Sequence, residues 1–414
     1  MSANSIMPTS RLFYGWYVVA AAFAITCIGF GCAYTFSAFV PSLQSEFGAS
    51  RGSVSLAFSI AGFLYFTLGI VSGPLADRFG SRLMGVVGML LIGLGLAAAS
   101  AARSLVEVYV AYGLGVGVGV GASYVPAVGA VQRWFDRRRG FASGLAVSGI
   151  GVGTLVMPPL AAWLIAEIGW RGCYLVFGIA AAVVGVGAAL LLVNDPHERG
   201  LAPDGGPARH RAPSAGLGGA SLREAVTSRR FVGLYAGCLI CSFGVFVPFV
   251  HLVPYARDHG VAPSAAVLLI ALIGIGSTAG RFFLGGLADR LGRRLALISM
   301  FVGLGLAMAL WAMAESFWPL AVFALAYGMF YGGWVALLPA TIMDYFGGRN
   351  VSGLIGVLYS SVAFGTLIGP SAAGFGFDIT HSYTLPILAS VAANVLAAGI
   401  VAVTSRGRPT DRPD

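Results

Sequence analysis

One arginine in this 414-residue chain sits where charge is expensive. Arg281 lies inside the apolar run 264–288, eight residues before Asp289 at the end of that run. Eight residues of helix rise about 12 Å, and half the hydrocarbon thickness of a bilayer is about 15 Å. Arg281 is therefore expected near a membrane midplane, where a charged side chain costs roughly 2.5–3.5 kcal/mol on insertion scales. A guanidinium stays charged and grips a carboxylate through two parallel hydrogen bonds. That chemistry is capture of a small organic anion. The plainer alternative is an arginine that snorkels or bonds to backbone carbonyls.

Other residues are candidates to serve the same site. Tyr331, in "YGGW", places an aromatic hydroxyl mid-span; Tyr124 and Tyr34 are further tyrosines within runs. Leu145 and Phe36 are candidates for an apolar wall against the carbon chain of an anion. His251 lies in "PFVHLVP" between Pro248 and Pro254. Those prolines should bend the helix and free carbonyls, and an imidazole can titrate near neutral pH. His251 thus reads as a proton carrier or as a satisfied buried histidine. Asp258, at the end of the same run, is a second candidate for the proton, and the pairing of Arg281 with a substrate carboxylate is a third.

The elements that must hold these residues are membrane helices. The chain is 57% hydrophobic and 10% charged, with mean hydropathy +0.85; a soluble domain is about 25% charged. Apolar runs fall at roughly 14–41, 52–75, 83–102, 105–132, 139–166 and 170–193, then 230–256, 264–288, 295–314, 316–343, 350–376 and 381–404. Each is long enough to span a bilayer. The first is expected to be retained, because no small-residue cleavage site follows a short apolar core. The expected organisation is a first bundle over 1–193, a linker over 194–229 and a second bundle over 230–414.

All 25 basic residues other than His are arginine. With both termini cytoplasmic, 20 fall on the cytoplasmic side, four outside, and one, Arg281, within a span. This is the positive-inside bias. It also accounts for the net charge of +9 without nucleic acid, since the arginines are scattered through loops facing lipid. The linker holds four prolines and reads as a largely disordered tether. Near its end "SLRE" (221–224) has the pattern of a capping box and predicts a short interfacial helix. The five cysteines form no disulfide framework, and "CLIC" (238–241) reads as small packing residues.

Several classes are set aside. A Walker A loop needs a lysine, and the chain has none. H-E-x-x-H and G-x-S-x-G are both missing, so no enzyme, metal or cofactor is expected. "GVGVGA" (117–122) matches a dinucleotide fingerprint, but it lies in an apolar span, where alternating glycines serve close helix packing.

The chain also repeats itself. "GPLADRFG" (73–80) returns as "GGLADRLG" (285–292), six of eight residues at offset 212. "GTLVMP" (153–158) returns at the same offset as "GTLIGP" (365–370), and "YGLGVG" (112–117) corresponds to "YGMFYG" (327–332) with a small indel. Two six-helix bundles related by a parallel repeat describe the major facilitator superfamily, with its substrate site between the halves. "GPLADRFGSR" and "GGLADRLGRR" resemble its loop motif G-x-x-x-D-R-x-G-R-[RK], with Ser81 in place of the usual basic residue. The resemblance implies an all-α integral membrane fold of twelve helices. It also implies a conformational latch at the cytoplasmic face. There Gly73 and Gly285 allow close helix approach, while Asp77 and Asp289, beside Arg78 and Arg290, cap a helix or pair with arginine.

"RWFDRRRGFASGLAVSGIGVG" (133–153) resembles the helix 4–5 signature of the monocarboxylate transporter family, and "YGWYVV" (14–19) its start of helix 1. This implies transport of small monocarboxylates, L-lactate first among them, with a proton by alternating access. The expected setting is a monomer in a bacterial inner membrane. An oxalate/formate-type anion exchanger shares the helix 1 motif and is the alternative. Two departures bear on the proton. Many animal members have an aspartate four residues before the arginine, where this chain has Ser277, and a helix 1 lysine, where it has Phe36. Arg281 itself is not imposed by the repeat, since its counterpart at offset 212 is Gly69.

Overall fold

The computed structural model describes residues 13–135, 138–205, 220–347 and 351–405, without the side chains of 139, 285–290, 351 and 352. Among the described residues the fold is helical throughout, with no strand. The spans are α1 (Gly15–Tyr34), α2 (Arg51–Phe79), α3 (Ser81–Ser100) and α4 (Leu105–Trp134). Next come α5 and α6, which share one helical run from 139 to 190. The second six are α7 (Arg229–Asp258), α8 (Pro263–Leu291), α9 (Arg293–Ala312), α10 (Phe317–Phe346), α11 (Val351–Thr380) and α12 (Thr384–Thr404).

The α5–α6 run would be over 70 Å long as one helix, more than twice a bilayer core. Gly169, at φ 72°, ψ 168°, breaks it into two passes. The eleven long apolar segments among the described residues therefore make twelve spans.

The packing obeys the repeat. In the first six spans α1 packs on α5 and α6, α2 on α4, and α3 on α4 and α6. In the last six, α7 packs on α11 and α12, α8 on α10, and α9 on α10 and α12. Each contact shifts by six helices. The two sets meet through α2 with α11 and through α5 with α8, which are also equivalent under the shift. Small residues make the second contact close: a Cβ on Gly274 would lie 2.5 Å from the Leu155 nitrogen.

Two local features repeat in detail. Gly80 (φ 87°, ψ 144°) turns α2 into α3, and Gly292 (φ 80°, ψ 144°) turns α8 into α9, 212 positions later. Both lie in a region that only glycine adopts cheaply, which explains the final glycine of the repeated motif. The second feature is a break. α1 ends at Tyr34, passes through a 3-10 turn (Phe36–Ala38) and resumes as Val40–Phe47. α7 stops at Val245 and resumes at Pro248. Tyr34 and Phe246 are 212 apart. Pro248 lacks the N–H that would continue the ladder. Next to the break the carbonyl of Val245 accepts a hydrogen bond from the Tyr327 hydroxyl.

Between the halves the expected capping box is present. Ser221 accepts from the Glu224 amide, the Glu224 carboxylate accepts from the Ser221 amide at 2.9 Å, and the helix Leu222–Thr227 follows. On the near side, Pro196–Arg199 forms a capped turn, with Arg199 over the Tyr14 ring at 3.6 Å. That stretch packs against the first half; residues 206–219 of the expected tether lie outside the described residues.

Candidate functional site

The end of the molecule bearing the linker is called the linker face below, and the opposite end the far face. Between the halves lies a cavity. Phe30, Tyr34, Phe66 and Tyr124 line it from the first half; Phe246, Arg281, Tyr331, Trp334 and Tyr359 line it from the second. Ile150, Val335, Leu338 and Val362 complete the wall. Tyr34 and Phe246 reach it because they sit at the two helix breaks.

Arg281 supplies the charge. It is 8% exposed, and one terminal nitrogen donates to the Val147 carbonyl of α5 at a long 3.4 Å. Its Nε and other terminal nitrogen are buried without a hydrogen-bond partner. Among the described residues no acidic side chain lines the cavity. An unpaired buried cation is costly, and a carboxylate against those two free nitrogens would relieve it.

The other expected residues divide. Tyr331 and Tyr124 share the cavity with Arg281. Tyr331 is held from above: its hydroxyl and that of Tyr34 are 2.9 Å apart, and the Phe249 ring lies 4.4 Å from Tyr34 and 5.3 Å from Tyr331. Phe36 does not reach the cavity. Its 3-10 turn sends it into the first half, against Phe58 and Tyr112, with no exposed surface. Leu145 is half-buried on α5 outside the lining. Ser277 is buried one turn before Arg281, where its backbone faces Gly332, with its hydroxyl unpartnered.

His251 and Asp258 belong instead to a hydrogen-bonded cluster where the halves meet at the far face. The break in α7 turns the segment Pro248–Asp258 toward α2 and α11. His251 is fully buried; its Nε2 donates to the Pro370 carbonyl at 2.8 Å and its Nδ1 accepts from the Tyr383 hydroxyl at 2.9 Å. Both ring nitrogens are satisfied in the neutral form. The Tyr383 hydroxyl in turn accepts from Arg51 at 3.0 Å, and Arg51 forms a two-pronged pair with Asp258 at 2.5 and 2.7 Å. Asp378 caps α2 from the other half, accepting the amides of Arg51 and Gly52 at 2.9 Å each. Beneath them Ser371 donates to Ser59 at 2.8 Å. The backbones cross here: a Cβ on Gly374 would lie 2.7 Å from the Gly52 Cα. Hydrogen bonds that cross between the halves, among the described residues, run from the Arg281 level to this face.

The motif residues divide: Asp77 has the arginine partner expected of it, and Gly73 does not make the expected close approach. Asp77 pairs with Arg133 at the end of α4, within the first half and not across to the second. Gly73 is not a close approach, since a Cβ there would lie 3.6 Å from Val125, an ordinary contact. Arg78 is exposed, with its guanidinium over the Phe79 ring at 5.2 Å. The side chains of Gly285, Asp289 and Arg290 lie outside the described residues.

Sequence reasoning missed Arg51, Asp378 and Tyr383, because residues at span ends read as loop. It also missed Phe30, Phe66, Trp334 and Tyr359, because a ring in an apolar run carries no mark of which way it faces. Their only signal was aromatic rings recurring mid-span. Among the described residues no cluster of His, Cys, Asp or Glu is placed to hold a metal ion.

Two halves of six helices, related by a shift of six and enclosing a central cavity, define a secondary transporter. The model of the Major Facilitator Superfamily matches residues 21–249 and 232–414. Monocarboxylate transporter 11 of Homo sapiens is 31% identical over 395 residues, 91% of this chain and 80% of that protein. Monocarboxylate transporter 3 of Rattus norvegicus is 32% identical over 402 residues, 95% and 80% respectively. A bacterial homologue of the human lysosomal transporter Spinster, solved in an inward-facing and occupied conformation, shares the fold with TM-score 0.70 and 17% identity, covering 98% of this chain and 100% of that one. The chain belongs to the monocarboxylate transporter family of the major facilitator superfamily. It is a multi-pass membrane transporter and not an enzyme.

Proposed function

We propose that this protein carries small monocarboxylates, L-lactate among them, together with a proton. The observation that supports this reading is Arg281: a buried guanidinium with two unpartnered nitrogens, on a residue that lines a cavity without acidic side chains among the described residues. One carboxylate neutralises one guanidinium, and the neutral pair is cheaper to enclose than the bare charge. Arg281 also bonds to α5 of the opposite half, so the group that binds the anion is the group whose pairing the halves feel.

A carboxylic acid with a pKa near 4 is an anion at neutral pH, so an electroneutral cycle needs a proton or an exchanged anion. Of the three candidate proton groups, Arg281 alone faces the cavity; His251 and Asp258 act at the far gate in this reading. The excess of arginine on the linker side supports a cytoplasmic linker and termini, which makes the far face external.

The test is labelled L-lactate uptake into proteoliposomes, with and without an inward pH gradient, for wild type and Arg281→Gln. Gradient-driven uptake that the mutant loses is the expected result. Uptake that ignores the gradient and needs an internal anion would make the protein an exchanger. Normal uptake by the mutant would remove Arg281 from the mechanism.

A further inference from the structure

The wall of the cavity says more about the anion than its charge does. Eight of the thirteen lining residues are aromatic, four from each half. The repeat pairs Tyr34 with Phe246 but does not impose the others. At offset 212, Phe30 corresponds to Ser242, Phe66 to Thr278 and Tyr359 to Val147. A twofold fold built with a serine, a threonine or a valine at these places in one half does not need a ring in the other.

The rings present edges and faces to one another around the space. Phe30 meets Tyr124 at 5.1 Å and 85°, Phe66 meets Phe246 at 5.5 Å and 58°, and Phe66 meets Tyr359 at 6.1 Å and 58°. In this conformation the rings touch one another across the halves, so a bound ring would part them and take up the same tilted contacts, which an aliphatic chain cannot do, because edge and face carry opposite partial charge. The polar groups limit the choice further. A single guanidinium accepts one carboxylate, and a second carboxylate would be buried without a partner. With no acidic side chain in the lining, the ammonium group of an amino acid would also go unpaired, beside a cation. The remaining polar atoms are largely phenol hydroxyls, of Tyr34, Tyr124, Tyr331 and Tyr359, which both donate and accept.

We propose that the preferred substrates are monocarboxylates that carry an aromatic ring and no ammonium group, with the carboxylate on Arg281 and the ring between the aromatic walls of the two halves. This rests on the carboxylate reading of Arg281 given above and names the class within it. Three-carbon acids such as L-lactate then bind through the same anchor but leave the walls unused.

The experiment is equilibrium binding to the purified full chain in nanodiscs, followed by the fluorescence of Trp334 in the cavity wall and by calorimetry. The ligands are benzoate, 4-hydroxybenzoate, L-lactate and L-phenylalanine, applied to wild type, Arg281→Gln and Phe66→Leu. Benzoate and 4-hydroxybenzoate are expected to bind at least about tenfold more tightly than L-lactate, a difference of one ring contact. L-phenylalanine is expected not to bind. Phe66→Leu should lower the ratio of aryl-acid to L-lactate affinity several-fold, a change in selectivity that general damage to the fold would not produce. L-lactate binding as tightly as benzoate, with both lost in Arg281→Gln, would overturn the aryl preference and leave the carboxylate site standing. Binding that survives in Arg281→Gln, or no binding by any of the acids, would overturn the carboxylate reading itself.

Discussion

The hydroxyls of Tyr34 and Tyr331 lie 2.9 Å apart, one at the break of α1 and the other mid-way along α10, with 297 residues between them in sequence. They join the two halves directly above Arg281, on the side toward the sealed far face. On the transport reading proposed above, this bond breaks when the far face opens. It is worth about 0.5–1.5 kcal/mol. Tyr34→Phe and Tyr331→Phe should each shift the balance toward the far-open state by about two- to tenfold. The double mutant should cost no more than either single change, since both remove one bond. Labelling of a cysteine introduced into the cavity wall, from each face, measures the balance. Additive effects would mean that the two hydroxyls act separately.

Arg281 should tolerate loss of charge and loss of shape differently. Arg281→Gln removes the charged donor and should weaken carboxylate binding by about 100-fold or more. Arg281→Lys keeps the charge but not the planar pair of donors, and should cost about tenfold. Calorimetry with L-lactate or benzoate checks both. Equal losses in the two mutants would mean that geometry contributes nothing beyond charge.

The crossing of Gly52 and Gly374 predicts a gate mutant. A methyl group on Gly374 would meet the α2 backbone at 2.7 Å, and backbone cannot step aside as a side chain can. Gly374→Ala should therefore hold the far face ajar. Transport should fall by about tenfold or more, while anion binding from the far side stays near that of wild type. Unchanged transport would show that the crossing is looser than the geometry requires.

Gly80 and Gly292 predict a stability effect. Both hold a backbone conformation closed to residues with a Cβ, although open space surrounds them. Gly80→Ala should destabilise the first half by about 1–3 kcal/mol, read as a lower Tm in detergent. The same change at Gly140, also with nothing nearby but within ordinary helix, should be neutral or slightly stabilising. A similar Tm for both would remove strain as the reason for the glycine in the motif.

A pH effect is expected outside the membrane. The Arg171 hydrogen bond, at 2.9 Å, holds the Glu46 carboxyl below its ordinary value, tying the short helix Val40–Phe47 to the start of α6. A depressed carboxylate stabilises above its unfolded pKa, and the contribution is lost as pH falls through the folded one. Wild type should therefore exceed Glu46→Gln in Tm at neutral pH, and the gap should close under acid. A gap that persists in acid would assign the effect to packing.

The sequence by itself determined the twelve spans and their internal repeat. Hydropathy decides what enters a bilayer, and every backbone group there must be satisfied within a helix, so length and composition leave little choice. The repeat at offset 212 announced the shared packing of the halves, and an arginine without a counterpart marked the candidate site. Proline at 248 announced the break in α7, because a missing N–H is a local fact. Which residues gather around Arg281 was decided only in three dimensions. Twelve apolar helices offer apolar side chains on every face, so periodicity no longer separates cavity from lipid. His251 and Phe36 read as site residues by type, yet the breaks in α7 and α1 rotate them into the far gate and the interior of the first half. Arg51, Asp378 and Tyr383 read as loop, yet contact between α2 and α11 assembles them into the gate. Those contacts form between helices hundreds of residues apart, and their register depends on where small residues let two backbones meet.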